Sequence, residues 1–486
     1  MPLDCSLVLA CPEPFRTRAR WVFRNWSVRY DVAIVLVERI GDAPEDRHLI
    51  VYGDAAQTTR PHLRIPHDPT AWGRPPDASS ARWVDYRGQP LLDLWGNAAV
   101  PVVQVHPSES VVRVGMDIVA AVFHVLSGAS EHLVSRLDRH SRVPHDASLV
   151  GRLGLTHRPV VDAWFSVLSD GLEALTGHAV PRRNLWWGAP FAVCLTHDID
   201  RVHRGWVDAS KRAMRQALAG RWQSAFDTGC AVFRRLASGA DFYWNLDDLL
   251  RIGIRYGARP SFFLMAGAGH PLDADYRLNG RWTNVVRRIV RAGGEIGLHG
   301  SYESFRRADL LRRERREIER LTGEQVVGMR QHFLRFDPRR TWQAQAEAGL
   351  RYDATVGFVE HVGFRAGTCF PYQAYDVPAD RPLPLTEIPL LVMDRTLEEH
   401  LKLSPRQAWD ALQPILSTVE RSGGCLTVLW HNLFVVDACY PGWRAVYERM
   451  LDWARQRGAW LTTGAEVWRS LKNACALKDN NSPKEE

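Results

Sequence analysis

The stretch Phe191–Asp200, FAVCLTHDID, decides how the rest of the chain is read. An apolar run from Phe191 to Leu195 ends abruptly in Thr196, His197, Asp198 and Asp200. A run of about five apolar residues bounded by polar ones is the pattern of a buried parallel strand. Barrels and open α/β sheets place their chemistry at the carboxyl ends of such strands. Two carboxylates two residues apart on extended backbone point the same way, because side chains alternate along a strand. Like charges held together resist joint ionisation unless a cation or a donor compensates. A divalent metal on one carboxylate, with the other left as a base, resolves that conflict. Taken alone, the stretch reads equally well as a strand end with a capping Asp and a polar loop.

Downstream the pattern is strand–helix repeats. Helix Asn245–Tyr256, strand Pro260–Ala266, helix Trp282–Ala292 and strand Glu295–Leu298 come first. Helix Asp309–Leu321, strand Val326–Phe333, helix Thr341–Gly349 and strand Tyr352–Val356 come next. Later strands are Glu387–Met393 and Leu426–Trp430, with helices Pro405–Arg421 and Trp443–Arg457 beside the last. Such alternation over about 280 residues predicts a parallel (β/α) barrel. A mostly helical insertion, 204–239, carries Lys211, Arg212, Arg215, Arg234 and Arg235. A basic amphipathic helix can lie on a membrane surface, although a solvated face is the plainer reading.

Upstream, residues 1–180 read as a smaller α/β domain, with strands in Tyr30–Ile40 and His48–Tyr52. Pro61–Pro76 reads as a loop, and Val112–Leu126 and Pro159–Leu175 as helices. Asp138, Arg139 and His140 are a candidate polar site there, with a solvated loop the simpler account. Residues 181–190, PRRNLWWGAP, read as a linker whose Trp186 and Trp187 pack on the neighbouring domain. The barrel thus spans 191–471, and 472–486 read as a polar, disordered tail.

The chain of 486 residues is 45% apolar, enough for two or three cores. Its net charge of +7 comes from 62 basic and 55 acidic residues, and only five of the basic ones are Lys. Arg spread along the whole chain is not the clustered footprint of a nucleic-acid binder, so none is expected as partner. The eight Cys are scattered without a CxxC pair, which fits a reducing, cytoplasmic setting. Ser6–Cys11, SLVLAC, looks like a lipoprotein cleavage box, but no basic residue precedes it and the apolar run is short. No run of 18 apolar residues predicts a membrane span. Oligomeric state is open.

Four further strand ends carry polar residues: His299 in EIGLHGSYESF, Arg330 and His332 in GMRQHFLRF, Asp353 in YDAT, and His431 in TVLWHN. One His after an apolar strand is more often a bonded core residue than a ligand. Several such ends on parallel strands of one barrel converge on the same face, which favours a metal-hydrolase site.

At these residues the chain resembles the polysaccharide deacetylase family, the chitooligosaccharide-deacetylase-like carbohydrate esterases, over about residues 190–470. The segments YDATVGF, GFRAGTCFPY and TEIPLLVMD are similar to a cytoplasmic-looking branch with an extra N-terminal domain. The resemblance implies an irregular (β/α) barrel of the deacetylase type. THDID then implies Asp198 as base and Asp200 as metal ligand. His299 matches the first ligand of the family's His-Ser/Thr-x-x-His motif, while HGSYE puts Glu303 at the second. The third ligand is open between His332, the preferred reading, and Glu303. Arg330 is implied as the cation that pairs with Asp198, and His431 as the general acid. Tyr302 and Asp353 are the substrate-binding expectations, and Trp430 and Phe364 are further aromatic candidates for a sugar face.

The resemblance implies a metal-dependent deacetylase, with Zn²⁺ the metal expected, acting on an N-acetylated sugar, glycan or glycan precursor. Two alternatives stand beside it. One is a hydrolase of another non-peptide C–N bond on the same site. The other is an inactive glycan-binding pseudoenzyme in a surface-polysaccharide pathway.

Overall fold

The fold is given by a computed structural model that describes residues 2–479, apart from 55–57, 74, 204, 238–240 and 268. The first 180 residues build a six-stranded sheet. Its strands are β1 (Leu3–Ala10), β2 (Val32–Val37), β3 (His48–Gly53), β4 (His62–Ile65), β7 (Val103–His106) and β8 (Val111–Val114), and a separate hairpin joins β5 (Arg82–Tyr86) and β6 (Gln89–Asp93). The order β2-β1-β3-β4-β8-β7 is parallel except for the β7–β8 pair. SLVLAC begins inside the buried strand β1. The expected loop over Pro61–Pro76 instead holds β4 and a short helix, Pro69–Gly73. Val112–Leu126 is not one helix: it divides into β8 and helix Ile118–Leu126, because the Asp117 carboxylate accepts from Ala120 N and starts the helix there.

The second sheet begins with β9 (Ala192–Ile199), whose eight residues are all buried. It continues through β10 (Ser261–Leu264), β11 (Glu295–Gly300), β12 (Gly328–Gln331), β13 (Tyr352–Asp353), β14 (Tyr372–Asp376), β15 (Arg381–Glu387), β16 (Val392–Met393), β17 (Cys425–Leu429) and β18 (Trp460–Thr462). The order is β14-β15-β13-β12-β11-β10-β9-β17-β16, with β18 also paired to β9, and only β14 runs antiparallel. The architecture is mixed α/β with a curled sheet. The edge strands β14 and β16 do not pair with each other, so hydrogen bonding leaves open the sheet expected as an irregular (β/α) barrel. The expected strand Glu387–Met393 is two strands on opposite sides of the sheet, split at Pro389, which has no N–H to continue a ladder.

The two sheets share one continuous buried core. Each large apolar side chain fully buried in it, such as Trp21, Trp164 or Phe263, contributes about 1.5–3 kcal/mol. Main-chain bonds tie the halves together: Phe364 N donates to Thr156 O (2.7 Å) and Val161 N to Gly367 O (2.9 Å). Gly367 has φ +64°, and a Cβ there would meet Val125, Val160 and Val161 at 2.9–3.1 Å, so this seam requires glycine. Within 181–190, Leu185 and Trp186 are buried and Arg182 bridges to Tyr30, whereas Trp187 is 68% exposed and does not pack as expected. The tail also differs from expectation. Helix Gly464–Asp479 runs through its first half, anchored by Val467, Leu471 and Ala474 at helical spacing, and 480–486 lie outside the described residues.

Candidate metal centre

Parallel pairing brings the carboxyl ends of β9, β11, β12, β16 and β17 to one side of the sheet. Asp198 and Asp200 come from the end of β9, His299 from β11, Arg330 from β12 and His431 from two residues past β17. His299 and Arg330 are register partners across β11 and β12. His332 arrives differently from the expected extended run. β12 stops at Gln331, and His332 opens a 3-10 turn in which Phe333 (φ +57°) and Leu334 (φ +50°) are both left-handed. Such backbone is strained for non-glycine residues and persists only where its surroundings enforce it.

These side chains close on one point. His299 Nε2 lies 3.1 Å from Asp200 Oδ1, His332 Nδ1 lies 3.4 Å from the same oxygen, and the two ring nitrogens are 2.9 Å apart. Each ring is oriented from behind: His299 Nδ1 is 3.0 Å from Arg330 O and His332 Nε2 is 2.8 Å from Leu272 O. A carbonyl only accepts, so both outer nitrogens carry protons and donate. With neutral rings, two nitrogen lone pairs and a carboxylate oxygen then face one another. Asp200 Oδ1 is buried and has no hydrogen-bond partner. Such a grouping calls for a proton on His299 or for a cation. All three ligand atoms lie within 4.8 Å of one another, and an Asp/His/His donor set suits a divalent ion such as Zn²⁺.

Burial disfavours ionised Asp200, but the imidazoles of His332, His299 and His431 outweigh it and hold the carboxyl well below its ordinary range. Burial takes His332 down to about 4 and so favours the neutral, ligating form. For His299 burial acts the same way, yet Asp198 and Asp200 overcome it and raise the ring.

Two supporting pairs flank the cluster. Arg330 Nη1 meets Asp198 Oδ1 at 3.0 Å, and the guanidinium is fixed by Thr196 Oγ1 and Ala354 O, each at 2.7 Å. His431 Nδ1 meets Asp394 Oδ1 at 2.7 Å, and its Nε2 lies 3.5 Å from Asp200 Oδ2. Burial lowers His431, but Asp394 reverses this and the net shift is upward. Sequence reasoning misses Asp394. Its signal is the end of TEIPLLVMD, a polar residue after an apolar strand like the others.

Other candidates fall elsewhere. The Glu303 side chain is 57% exposed and pairs with Arg335, away from the cluster. Tyr302 is buried, its hydroxyl 2.9 Å from His140 Nδ1, and it does not line the cleft. Asp353 is fully buried against Thr355 and Glu387, outside the cleft lining. Phe364 and Trp430 are buried in the core, Trp430 stacked on Tyr447.

The cleft, of about 480 Å³, receives a wall from the first 180 residues. Arg139, His140 and Arg142 line it, so the segment expected as a solvated loop is part of the site. His140 stacks on Phe333 with ring centroids 4.5 Å apart, Arg335 donates to its carbonyl, and Arg142 Nη1 donates to Phe333 O. The strained turn that carries His332 is thereby clamped from the N-terminal half.

A model described as "Family of unknown function (DUF7033)" matches residues 30–177. No curated protein matches the chain. Solved structures similar to it include a protein described as a polysaccharide deacetylase from Mycobacterium smegmatis. It is 20% identical over 59% of this chain and 91% of that one, with a TM-score of 0.40. Puue allantoinase is 16% identical over 62% and 94%, with a TM-score of 0.41. A protein described as a polysaccharide deacetylase from Pseudomonas aeruginosa PAO1 is 17% identical over 64% and 97%, with a TM-score of 0.41. At this distance the chemistry rests on the residues of the cleft.

Proposed function

We propose that the protein is a metal-dependent hydrolase that removes an N-acetyl group from a sugar, glycan or glycan precursor. The observation that carries this reading is the convergence of Asp200, His299 and His332 on one buried point, flanked by a paired carboxylate and a paired imidazole. A divalent ion held by those three residues would supply Lewis-acid polarisation of a carbonyl oxygen.

The chain's own groups account for the proton transfers. Asp198 Oδ1 is taken by Arg330, while Oδ2 lies 3.8 Å from His299 Nδ1, beyond a good hydrogen bond, and is free to accept. Asp198 therefore takes the proton from a water that attacks the acetyl carbon. His431, whose Nδ1 faces the Asp394 carboxylate at 2.7 Å and whose proton affinity that carboxylate raises, gives a proton to the amide nitrogen as the C–N bond breaks. The products are acetate and a free amine. A cleft of about 480 Å³ is of a size to take a sugar residue. The cysteines among the described residues are all free and mostly buried, which supports a reducing, cytoplasmic setting.

Acetate release from purified protein across nucleotide sugars, oligosaccharides and small amides tests the reading. Release from acetylated sugars, abolished by a chelator and restored by Zn²⁺, is the expected result. Turnover of small cyclic amides alone would move the activity to another C–N bond, and a metal-free, inert protein would make it a pseudoenzyme.

A further inference from the structure

We propose that the helical hairpin 205–237 docks this protein on an anionic membrane surface. The hairpin consists of helices Gly205–Leu218 and Trp222–Ala237, inserted between β9 and β10. It carries an unusual share of exposed apolar side chains: Leu218 is 82% exposed, Phe233 74%, Trp222 70%, Phe226 68% and Met214 60%. Single exposed apolar residues are ordinary, but five large ones on one two-helix element are a concentration that solvent does not explain.

Their spacing makes them faces. Trp222, Phe226, Cys230 and Phe233 recur at helical intervals, and Phe226, Cys230, Phe233 and Arg234 line one shallow apolar hollow. On the first helix, Met214 and Leu218 continue the face begun by Val207 and Lys211, and these last two line the catalytic cleft. The helix that carries Met214 and Leu218 therefore starts at the lining of the cleft.

The occupant is chosen by charge. Residues 205–237 contain six basic and two acidic residues, and Lys211, Arg215, Arg221 and Arg234 are exposed around the apolar side chains. Exposed Trp, Phe, Leu and Met ringed by Lys and Arg match an interfacial helix, whose rings sink to the headgroup level while the cations meet lipid phosphates. No helix among the described residues is long and apolar enough to cross a membrane, so the hairpin lies on the surface. Docking this way sets the cleft mouth at the lipid headgroups.

The proposal does not depend on the chemistry of the cleft, because vesicle binding is read without catalysis. The test is co-sedimentation with vesicles of equimolar phosphatidylglycerol and phosphatidylcholine, against phosphatidylcholine alone and no vesicles. The full chain is expected to sediment with the anionic vesicles only, and to be released as salt rises from about 0.1 to about 0.5 M. The triple variant Trp222→Ser, Phe226→Ser, Phe233→Ser should bind at least about tenfold more weakly, with its circular dichroism unchanged. Arg215→Glu with Arg221→Glu should lose the preference for anionic lipid. Equal binding to both vesicles, or a triple variant that binds like the parent, overturns the proposal. So does a parent dimer that the triple variant converts to a monomer with no vesicle binding by either, since the face then joins two copies.

Discussion

His299 Nε2 and His332 Nδ1 face each other at 2.9 Å, each ring fixed from its far side by a main-chain carbonyl. Neither ring can turn away without losing that bond, so the pair is preorganised to face a cation. Chelation should therefore lower the melting temperature, and added Zn²⁺ should restore it. At about 100 times its dissociation constant a bound ion adds about 2.7 kcal/mol, a shift of a few degrees. Differential scanning fluorimetry with and without a chelator reads this directly.

The choice of third ligand is decided by comparing two alanine variants. Glu303 is exposed and paired with Arg335, whereas His332 is within 3.4 Å of Asp200. His332→Ala should purify with little metal and Glu303→Ala with the parental content, measured by elemental analysis. The reverse result would return the ligand to Glu303.

His431→Ala should retain metal and fold while turnover falls by about 10²–10⁴, the usual worth of a positioned general acid. Acetate release alongside metal content separates this from a core histidine, whose loss would lower stability and leave turnover per folded molecule unchanged.

Asp394→Asn tests the group behind that acid. The carboxylate raises His431 against its burial, so the amide should let it fall. The alkaline limb of the turnover profile should then move to lower pH, with turnover down by about tenfold or more at neutral pH. A merely structural role would leave the limb in place.

The buried pair Asp353 and Glu387 sets a pH dependence of stability separate from catalysis. Burial raises Asp353 to about 6, and burial together with Asp353 pushes Glu387 well above its ordinary range. Asp353 Oδ2 is buried with no hydrogen-bond partner, so burial favours a proton on the pair. Folded protein binds that proton more tightly than unfolded protein does. The stabilisation is therefore full below the unfolded value, near ~4, and is lost as pH rises through about 6. Asp353→Asn, which supplies a permanent donor, should flatten the melting temperature between about pH 4 and pH 6.

The sequence alone determined the strands whose apolar runs are unbroken and end in a polar residue, β9, β11 and β17 among them, because full burial on both faces leaves a compositional mark. It also determined which residues stand at those ends: Asp198, Asp200, His299, Arg330, His332 and His431. It could not determine which of them meet, because a distance across several strands depends on sheet order and register. Only the tertiary structure removed Glu303, Tyr302 and Asp353 from the cleft, brought Arg142 into its lining and set Asp394 behind His431. Glu303 leaves because solvent and Arg335 compete for its carboxylate at little burial cost. Asp353 leaves because its strand is two residues long and its side chain packs against Thr355 and Glu387 instead. His140 and Arg142 enter because the seam at Gly367 draws the two halves together, a contact between residues about 200 positions apart in the chain. Local periodicity records burial, and only packing records who is buried against whom.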